Sequence, residues 1–570
     1  MKIDYLSYPN PSFIRKNIVY LDDWLFSTDN KKFCKINIPF CPESKLSGLQ
    51  LTGFINECYY ETTFKNTFKD RCILHFGAVD YRTDVFINDK YVGSHVGGYT
   101  PFEFDITDYL NEGINKLKIN VFDNERRNSL TGKQSHKLNS FGCFYTRTTG
   151  IWQKVWLESR KEKHIKQFYF YPNIAQKLLV VDLITNSCGH YCVDVFYKNK
   201  LVGSRTGNIE YRKKIRIKLD SLFLWSEGKG NLYDIKITFE KDTVFSYFGM
   251  REVCYKDYDF YLNGQKIYQK LVLDQGYYPD GIYTAKDIYE LEKDIKLALE
   301  LGFNGARLHQ KVFDPRYLFL ADKYGFLVWG EMASWGIDYS NLNFVGRFID
   351  EWTQVLNRDF NHPSIITWCP INEAWGTWED NREVRDIKFI EQVFRFTKEF
   401  DTTRPCIDAS GGHHSHKTDL FDFHCYEDND ALQKYLLDFE NNNVLNVPLL
   451  YCKKERLTYK KNLPVNISEC GGRYFSLKKN GGLTSTVNNG PVLNEDDWGY
   501  GLNLVDGDAF VKYYSELTGI IKKCKKISGF CYTQLYDVEQ EQNGFYTYDR
   551  KDKLTEEQKK TIFKINKSIV

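Results

Sequence analysis

The chain has 570 residues, of which 42% are hydrophobic and 27% are charged, the composition of a folded globular protein with several domains. Its 77 basic and 75 acidic residues leave a net charge of +2, so it lacks the basic bias of a protein that binds nucleic acid or an anionic membrane. The 15 cysteines include no Cys-x-x-Cys pair, which argues against a zinc knuckle or a thioredoxin-like site.

The first 262 residues predict two β-structures in succession. Short strand-like runs alternate with turn residues up to about residue 160, as in FINDKYVG, where Asn88 and Asp89 mark a hairpin turn. We therefore expect an all-β sandwich over residues 1–160. Residues 161–262 repeat the pattern in DVFYKNKLVGS and YDIKITFE, which predicts a second, smaller β-sandwich packed against the first.

From residue 263 onward, strand-like runs alternate with helical stretches. The stretch 290–301 places its apolar residues on one helical face and ends at Gly302. The region contains eight strand candidates, which fits a (β/α)8 barrel over residues 263–570. A doubly wound sheet is the weaker alternative because no glycine-rich dinucleotide fingerprint follows the first strand.

Two glutamates follow apolar strand candidates of this predicted barrel. Glu373 ends the fourth strand in IITWCPINE, and Glu469 ends the seventh in VNISEC. The reactive face of a barrel lies at the carboxyl ends of its strands. A carboxyl pair there can cleave a glycoside, since one group protonates the leaving oxygen and the other serves as nucleophile or base. Either glutamate alone would be explained as well by a salt bridge, but the pair favours catalysis.

Several segments resemble glycoside hydrolase family 2, the group of β-galactosidases, β-glucuronidases and β-mannosidases. NHPSIITWCPINEAWG resembles the acid/base segment of that family, and ISECGG resembles its nucleophile segment. GGYTPFEFDIT and TTGIWQKVWLE resemble its sugar-binding jelly roll, LWSEGKGNLYDIKI its immunoglobulin-like domain, and GFNGARLHQ its second barrel strand. The resemblance implies a short three-domain member: jelly roll at 1–160, immunoglobulin-like β-sandwich at 161–262 and catalytic TIM barrel at 263–570.

The resemblance further implies an exo-acting, retaining β-glycosidase. Glu469 would attack the anomeric carbon, and Glu373 would act as acid and then as base, with the carboxyl groups roughly 5–5.5 Å apart rather than the ~6.5–9.5 Å of an inverting pair. A β-galactoside is the first expectation for the substrate; β-mannoside, β-glucoside and α-L-arabinoside stay open. Glucuronide is disfavoured because Asn543 is followed by Gly544 and Phe545, without the lysine of the family's Asn-x-Lys element.

The resemblance also implies substrate contacts near the two glutamates. Asn372 matches the family asparagine that bonds the 2-hydroxyl of the sugar. For Arg307, His309 and Glu331 a structural salt bridge is the alternative. The eighth strand carries tyrosine where the family often has tryptophan, which leaves the shape of the subsite open. The complete set of predicted substrate-binding residues is Asn372, Arg307, His309, Glu331, His424, Trp375, Tyr532, Gln534 and Asp537.

We expect no cofactor and no metal. The GGHHSH segment with His413, His414 and His416 lacks the spacing of a ligand set, and Asp408 is better explained by capping or a salt bridge. The expected partner is a carbohydrate, with no nucleic acid and no membrane; homo-oligomerisation stays open. Without a signal segment or a long apolar run, the predicted location is cytoplasmic. A carbohydrate-binding protein without catalysis, and transglycosylation in place of hydrolysis, are the alternative functions.

Overall fold

The computed structural model describes residues 3–124, 128–374, 377–379, 382–449, 452–459, 462–477, 483–485 and 496–569. Two antiparallel β-structures precede a parallel sheet surrounded by helices, so the predicted fold class is confirmed. The domain bounds at 160 and 262 stay predictions. Within the described residues, no helix is both long and apolar enough to cross a bilayer.

The first structure is a sandwich of a six-stranded and a four-stranded sheet. Alternate residues of Glu57–Lys65 are buried, because successive side chains of a strand point to opposite faces, and the inward ones share one apolar core. In sheet order, the strands are Cys34–Asn37, Asp23–Ser27, Glu57–Lys65, Ile114–Phe122, Arg82–Ile87 and Lys90–Val96, then Ile18–Tyr20, Val155–Arg160, Arg71–Phe76 and Phe102–Asp105; Val79–Asp80 pairs separately with Gly150–Ile151.

The second structure is built around two long antiparallel strands. Leu178–Tyr197 and Lys200–Lys218 pair along most of their length, and Lys198 and Asn199 both have positive φ, at 48° and 66°, as a tight hairpin turn requires. The strands enclose a separate apolar core. Its elements are Ile165–Asn173, Leu178–Tyr197, Lys200–Lys218, Leu232–Phe239 and Asp242–Gly249, followed by the hairpin strands Val253–Lys256, Asp259–Leu262 and Gln265–Lys266.

The third structure is the barrel, whose seven assigned strands form one parallel sheet. The segment around Cys406 takes the fifth position: Cys406 forms a parallel bridge to Trp368 of the fourth strand, and its carbonyl accepts from Asp419 N at 3.2 Å, just before the next barrel strand. In chain order, the barrel strands are Gln269–Asp274, Gly305–Leu308, Leu327–Glu331, Ile365–Cys369, Phe421–Cys425, Val465–Gly471 and Ile527–Thr533.

Helices cover the outside of the barrel. The helix predicted at 290–301 is present as Ile288–Glu300; the Asp287 side chain caps its first turn, and Gly302 follows with φ of +82°. The helices are Ile288–Glu300, Pro315–Tyr324, Val345–Asp359, Ile387–Phe400, Asn429–Asn442, Gly507–Lys523 and Glu556–Lys567, with 3-10 turns at Tyr5–Ser7, Thr107–Tyr109 and Leu342–Phe344. Short strand pairs join Thr377–Glu379 to Arg382–Val384, Asn446–Leu449 to Cys452–Thr458, and Leu483–Ser485 to Trp498–Tyr500.

Candidate active site

The two glutamates predicted from the sequence meet at the barrel mouth. Glu373 lies just beyond Ile365–Cys369, and Glu469 lies near the end of Val465–Gly471. Both are buried, at 3% and 5% exposure. One carboxylate oxygen of each, together with a ring nitrogen of His424, falls within a group whose atoms all lie within 4.8 Å of one another. Two carboxyl groups from different strands therefore converge on one point.

Hydrogen bonds to both oxygens fix the orientation of Glu469. Arg307 Nη1 donates to Glu469 Oε1 at 2.9 Å, and the Tyr426 hydroxyl donates to Oε2 at 2.7 Å. Thr533 Oγ1 lies 2.8 Å from the same tyrosine oxygen. These donors hold the carboxylate of Glu469 in one orientation.

Arg307 connects Glu469 to two further predicted residues. Its Nε donates to Glu331 Oε2 at 2.7 Å, and its Nη2 donates to Asn372 Oδ1 at 2.6 Å. Each of the three guanidinium nitrogens thus donates to a different partner. A lysine ammonium lacks the planar geometry that makes these three bonds possible at once. His309 lies beside this network, with Nδ1 3.0 Å from Glu331 Oε1 but outside hydrogen-bond geometry.

The backbone at Glu373 is held in an unusual conformation. Its φ is +60°, a region that non-glycine residues rarely occupy, and its N–H donates to Ser410 O at 2.9 Å. A Cβ on Gly412 would lie 2.7 Å from the carbonyl oxygen of Glu373. The glycine is therefore needed for the loop after the fifth strand position to pack against the strained residue, which sets the direction of its side chain.

His424 lies between the two carboxyl groups. Its Nδ1 is 2.8 Å from Glu373 Oε1 and 3.5 Å from Glu469 Oε2. A Cβ on Gly411 would lie 2.3 Å from atoms of the imidazole ring, and Gly411 has a φ of +63°. The Gly-Gly pair of DASGG thus leaves space for His424 and for the backbone of Glu373.

The pKa values of the clustered side chains are shifted in different directions. Burial opposes ionisation of Glu469, but the positive charges of His424 and Arg307 outweigh that effect and lower the pKa of this carboxyl. Burial likewise disfavours the charged form of His424, but the charge of Glu469 and the hydrogen bond to Glu373 raise the pKa of the imidazole. Burial and nearby Lys133 lower the pKa of His309, which keeps that ring neutral.

Two models of one protein family match this chain. The model described as "Glycosyl hydrolases family 2, sugar binding domain" matches residues 34–160, and "Glycosyl hydrolases family 2, TIM barrel domain" matches residues 253–459; together these cover more than half of the chain. The chain belongs to glycoside hydrolase family 2. Glu373 lies inside the range matched to the barrel of this family, whereas Glu469 lies beyond its end.

Similar proteins in family 2 carry more than one name. A β-galactosidase of Thermoanaerobacterium thermosulfurigenes is 27% identical over 461 residues, covering 75% of this chain and 58% of the relative. A putative β-glucuronidase of Formosa agariphila is 27% identical over 375 residues, covering 61% of this chain and 43% of the relative. The chain thus spans about half the length of the curated relatives it matches.

Solved structures of family 2 share the architecture. A β-galacturonidase from Eisenbergiella tayi, bound to glycerol, superposes with a TM-score of 0.75 at 18% identity, over 98% of both chains. A β-glucuronidase of an uncultured Clostridium species superposes with a TM-score of 0.76 at 18% identity, also over 98% of both chains. At this level of identity the likeness concerns the fold alone.

The structure of this family 2 protein brings some predicted residues to the site and places others elsewhere. Asn372, Arg307, His309, Glu331 and His424 gather around the glutamate pair. Trp375 lies outside the described residues.

The three residues predicted from the eighth strand do not contact the glutamates. Tyr532 faces the helix layer, where its ring lies 4.8 Å from that of Phe545, because Thr533 and not Tyr532 takes the inward position of the strand. Gln534 donates to Asn543 Oδ1 at 2.8 Å and does not line the cavity. Asp537 forms a buried ion pair with Lys553 at 2.8 Å, and burial raises its pKa to about 6.

Other residues of the cavity are absent from the sequence-based set. Tyr426 lies two positions after His424, just beyond the end of the strand Phe421–Cys425, so continuing the period of two past the strand was a clue to it. Lys133 and Cys143 come from loops of the first sandwich, and nothing in the barrel pattern points to them. The cavity lining beyond the predicted residues comprises Lys133, Cys143, Leu273, Trp335, Tyr426, Tyr500, Thr533 and Glu541.

In the histidine-rich segment, His414 forms contacts within the protein that explain its presence without a ligand. His414 Nδ1 lies 2.7 Å from Asp408 Oδ1, and its Nε2 lies 2.9 Å from the carbonyl oxygen of Asp422. Asp408 thus forms a salt bridge, which is one of the two structural roles expected for it. Among the described residues, the cluster with metal-ligand chemistry is Glu373, His424 and Glu469, and its members already bond one another and Arg307.

Proposed function

We propose that this family 2 protein is an exo-acting β-glycosidase that hydrolyses terminal β-linked sugars with retention of configuration, with a β-galactoside as the first candidate substrate. The observation that carries the proposal is the approach of Glu373 and Glu469 to within 4.8 Å, oxygen to oxygen. That spacing favours direct attack by a carboxylate, because an inverting pair is held ~6.5–9.5 Å apart to admit a water molecule between them and the sugar.

In this proposal Glu469 is the nucleophile. Its lowered pKa keeps it ionised near neutral pH, and the donors Arg307 and Tyr426 hold it in place. The carboxylate oxygen forms a bond to the anomeric carbon while the bond from that carbon to the leaving oxygen breaks. The product of this step is a glycosyl ester of Glu469, with the aglycone released as an alcohol.

Glu373 supplies the proton that the leaving oxygen takes up. The 2.8 Å contact between Glu373 Oε1 and His424 Nδ1 gives that proton a second place to reside, since the pKa of His424 is raised. In the second step Glu373 accepts a proton from water, whose oxygen attacks the anomeric carbon and releases Glu469. The net reaction consumes one water molecule and breaks one glycosidic bond.

Asn372 is placed to recognise the sugar beside its anomeric carbon. Arg307 occupies its Oδ1, which orients the amide so that Nδ2 remains as a buried donor with no hydrogen-bond partner among the described residues. A buried donor without a partner is costly, and a hydroxyl of the bound sugar would satisfy it. Such bonds strengthen as the oxocarbenium-like transition state forms.

The test is a panel of aryl β-D-galactoside, glucoside, mannoside and glucuronide together with aryl α-L-arabinoside, with proton NMR of the first sugar released. We expect hydrolysis that yields the anomer of unchanged configuration first. Glu469→Gln should lower kcat by at least about 10⁴-fold, in the range of enzymes that lose a nucleophile.

The matched control is Glu516→Gln, which makes the same chemical change at an exposed position of the helix Gly507–Lys523 and should leave kcat unchanged. An inverted first product would refute retention. Sugar binding without turnover by the unaltered protein would favour the binding-protein alternative, and transfer to added alcohol in place of water would favour transglycosylation.

A further inference from the structure

Among the residues that the structure describes, no hydrogen-bond acceptor pairs with the buried ammonium of Lys133. Only 6% of its surface is exposed, and it lines the same cavity as Glu373 and Glu469. In the described part of the chain its ammonium makes cation–π contacts, at 5.7 Å from the Tyr145 ring centre and 5.6 Å from that of Trp335. These rings do not replace the hydrogen bonds that three N–H donors require.

The loop that carries Lys133 is held against the barrel. Thr131 N donates to Trp335 O at 2.8 Å, and the Lys133 carbonyl accepts from Tyr145 N at 2.8 Å. Gly132 has a φ of +58°, and a Cβ there would lie 2.3 Å from Gln310 O. The first sandwich thus delivers the lysine to the mouth of the barrel on a fixed backbone.

Glu541 faces the same cavity from the loop after the eighth strand. Tyr145 donates its hydroxyl to Glu541 Oε2 at 2.5 Å, and Asn543 Nδ2 donates to Oε1 at 3.0 Å. Each carboxylate oxygen can accept a second bond, so Glu541 is oriented but not saturated. Tyr145 links the pair, since its ring contacts the lysine and its hydroxyl bonds the glutamate.

We propose that Lys133 and Glu541 together recognise hydroxyl groups of the sugar and select a neutral glycoside over the corresponding uronide. This inference rests on the proposed glycosidase function. The ammonium donates to one sugar hydroxyl oxygen and the carboxylate accepts from another. A uronic acid would instead bring a further negative charge into a cavity that already holds the carboxylates of Glu469 and Glu541, and like charges in a buried site repel strongly.

Matched substrate pairs test the selection. Aryl β-D-glucoside and glucuronide differ only at C6, as do the galactoside and galacturonide. We expect kcat/KM of the unaltered protein to be at least about tenfold higher for the neutral member of whichever pair is cleaved, the size of effect one buried charged contact has on binding. Glu541→Gln should narrow that ratio at least fivefold, because it removes the negative charge and keeps the shape.

The lysine has its own variants. Lys133→Gln should lower kcat/KM for the neutral glycoside about tenfold or more, mainly through KM, whereas Lys133→Arg, which keeps charged donors, should retain more of it. Lys118→Gln is the control: its ammonium lies 5.6 Å from the Tyr59 ring centre on the strand Ile114–Phe122 of the same sandwich, and it does not line the cavity. Melting temperatures show whether each variant folds.

Three results would overturn the inference. The unaltered protein could cleave the uronide faster than its neutral counterpart; Lys133→Gln could impair the uronide selectively, which would make the lysine a carboxylate receptor; or a folded Lys133→Gln protein could match the control on every substrate. Absence of any hydrolysis that depends on Glu469 would instead refute the proposed function itself.

Discussion

Replacing Arg307 with lysine should disable the site while keeping its net charge. The guanidinium donates to Glu331, Glu469 and Asn372 at 2.7, 2.9 and 2.6 Å. A single ammonium retains about one of these three bonds, so two charge-assisted hydrogen bonds are lost, each contributing about 1.5–3 kcal/mol. If even about 3 kcal/mol of this loss falls on the transition state, kcat/KM decreases by roughly 10²-fold.

The assay is the pH profile of kcat/KM for the best aryl glycoside, recorded for Arg307→Lys beside the unaltered protein. Arg307 lowers the pKa of Glu469, so weakening that contact should raise this pKa and move the acid limb of the profile to higher pH. Arg395→Lys is the control, because Arg395 pairs with Glu391 at 3.7 Å on an exposed helix face. A loss below fivefold with an unmoved acid limb would refute the role assigned to Arg307.

Three further predictions concern the surroundings of the pair. Gly411→Ala places a Cβ 2.3 Å from the His424 ring and should lower kcat at least about tenfold. Gly346→Ala is the control, because a Cβ there meets nothing within 4 Å, and it should leave kcat unchanged. Equal kcat values for the two variants would contradict the claim that Gly411 leaves space for His424. Burial opposes the charge of His414, but Asp408 and Asp422 raise its pKa to about 10, above the ~6.5 of an unfolded chain; its contribution to stability is therefore present below about pH 6.5 and lost as pH rises to about 10. His414→Gln should reduce the dependence of the melting temperature on pH between those two pH values. A dependence identical to that of the unaltered protein would rule this out. Thr533→Val should lower kcat, because it removes the hydroxyl that contacts the Tyr426 hydroxyl. Tyr532→Phe should leave kcat/KM within twofold, since the Tyr532 hydroxyl has no partner among the described residues. A larger loss for Tyr532→Phe than for Thr533→Val would show that Tyr532 acts in the site.

The sequence was sufficient for the barrel and for residues that follow its buried strands. Glu373 and Glu469 could be predicted because two separate apolar runs each end in a carboxyl residue, and the strand ends of a barrel share one face. Arg307, Glu331 and His424 were predicted from the resemblance to family 2, which implies substrate contacts at these strand ends. The period of two also explains why Tyr532 does not contact the glutamates, since its neighbour Thr533 faces inward.

Contacts that depend on other domains could not be predicted in this way. Lys133 reaches the cavity because Thr131 and Gly132 bond to Trp335 O, a contact across about 200 positions of sequence without any local pattern. Glu541 belongs to an irregular loop, where neither period of apolar residues applies. The positions that decide substrate preference in this proposal are thus those that only the folded arrangement identifies.

The nature of the intermediate tests the account most directly. The protein would be incubated with the 2-deoxy-2-fluoro analogue of the best substrate, digested, and sequenced by mass spectrometry. The account predicts one added sugar, bound through an ester to Glu469 and absent after Glu469→Gln. A sugar attached to any other residue, or steady turnover with no labelled peptide, would contradict nucleophilic attack by Glu469.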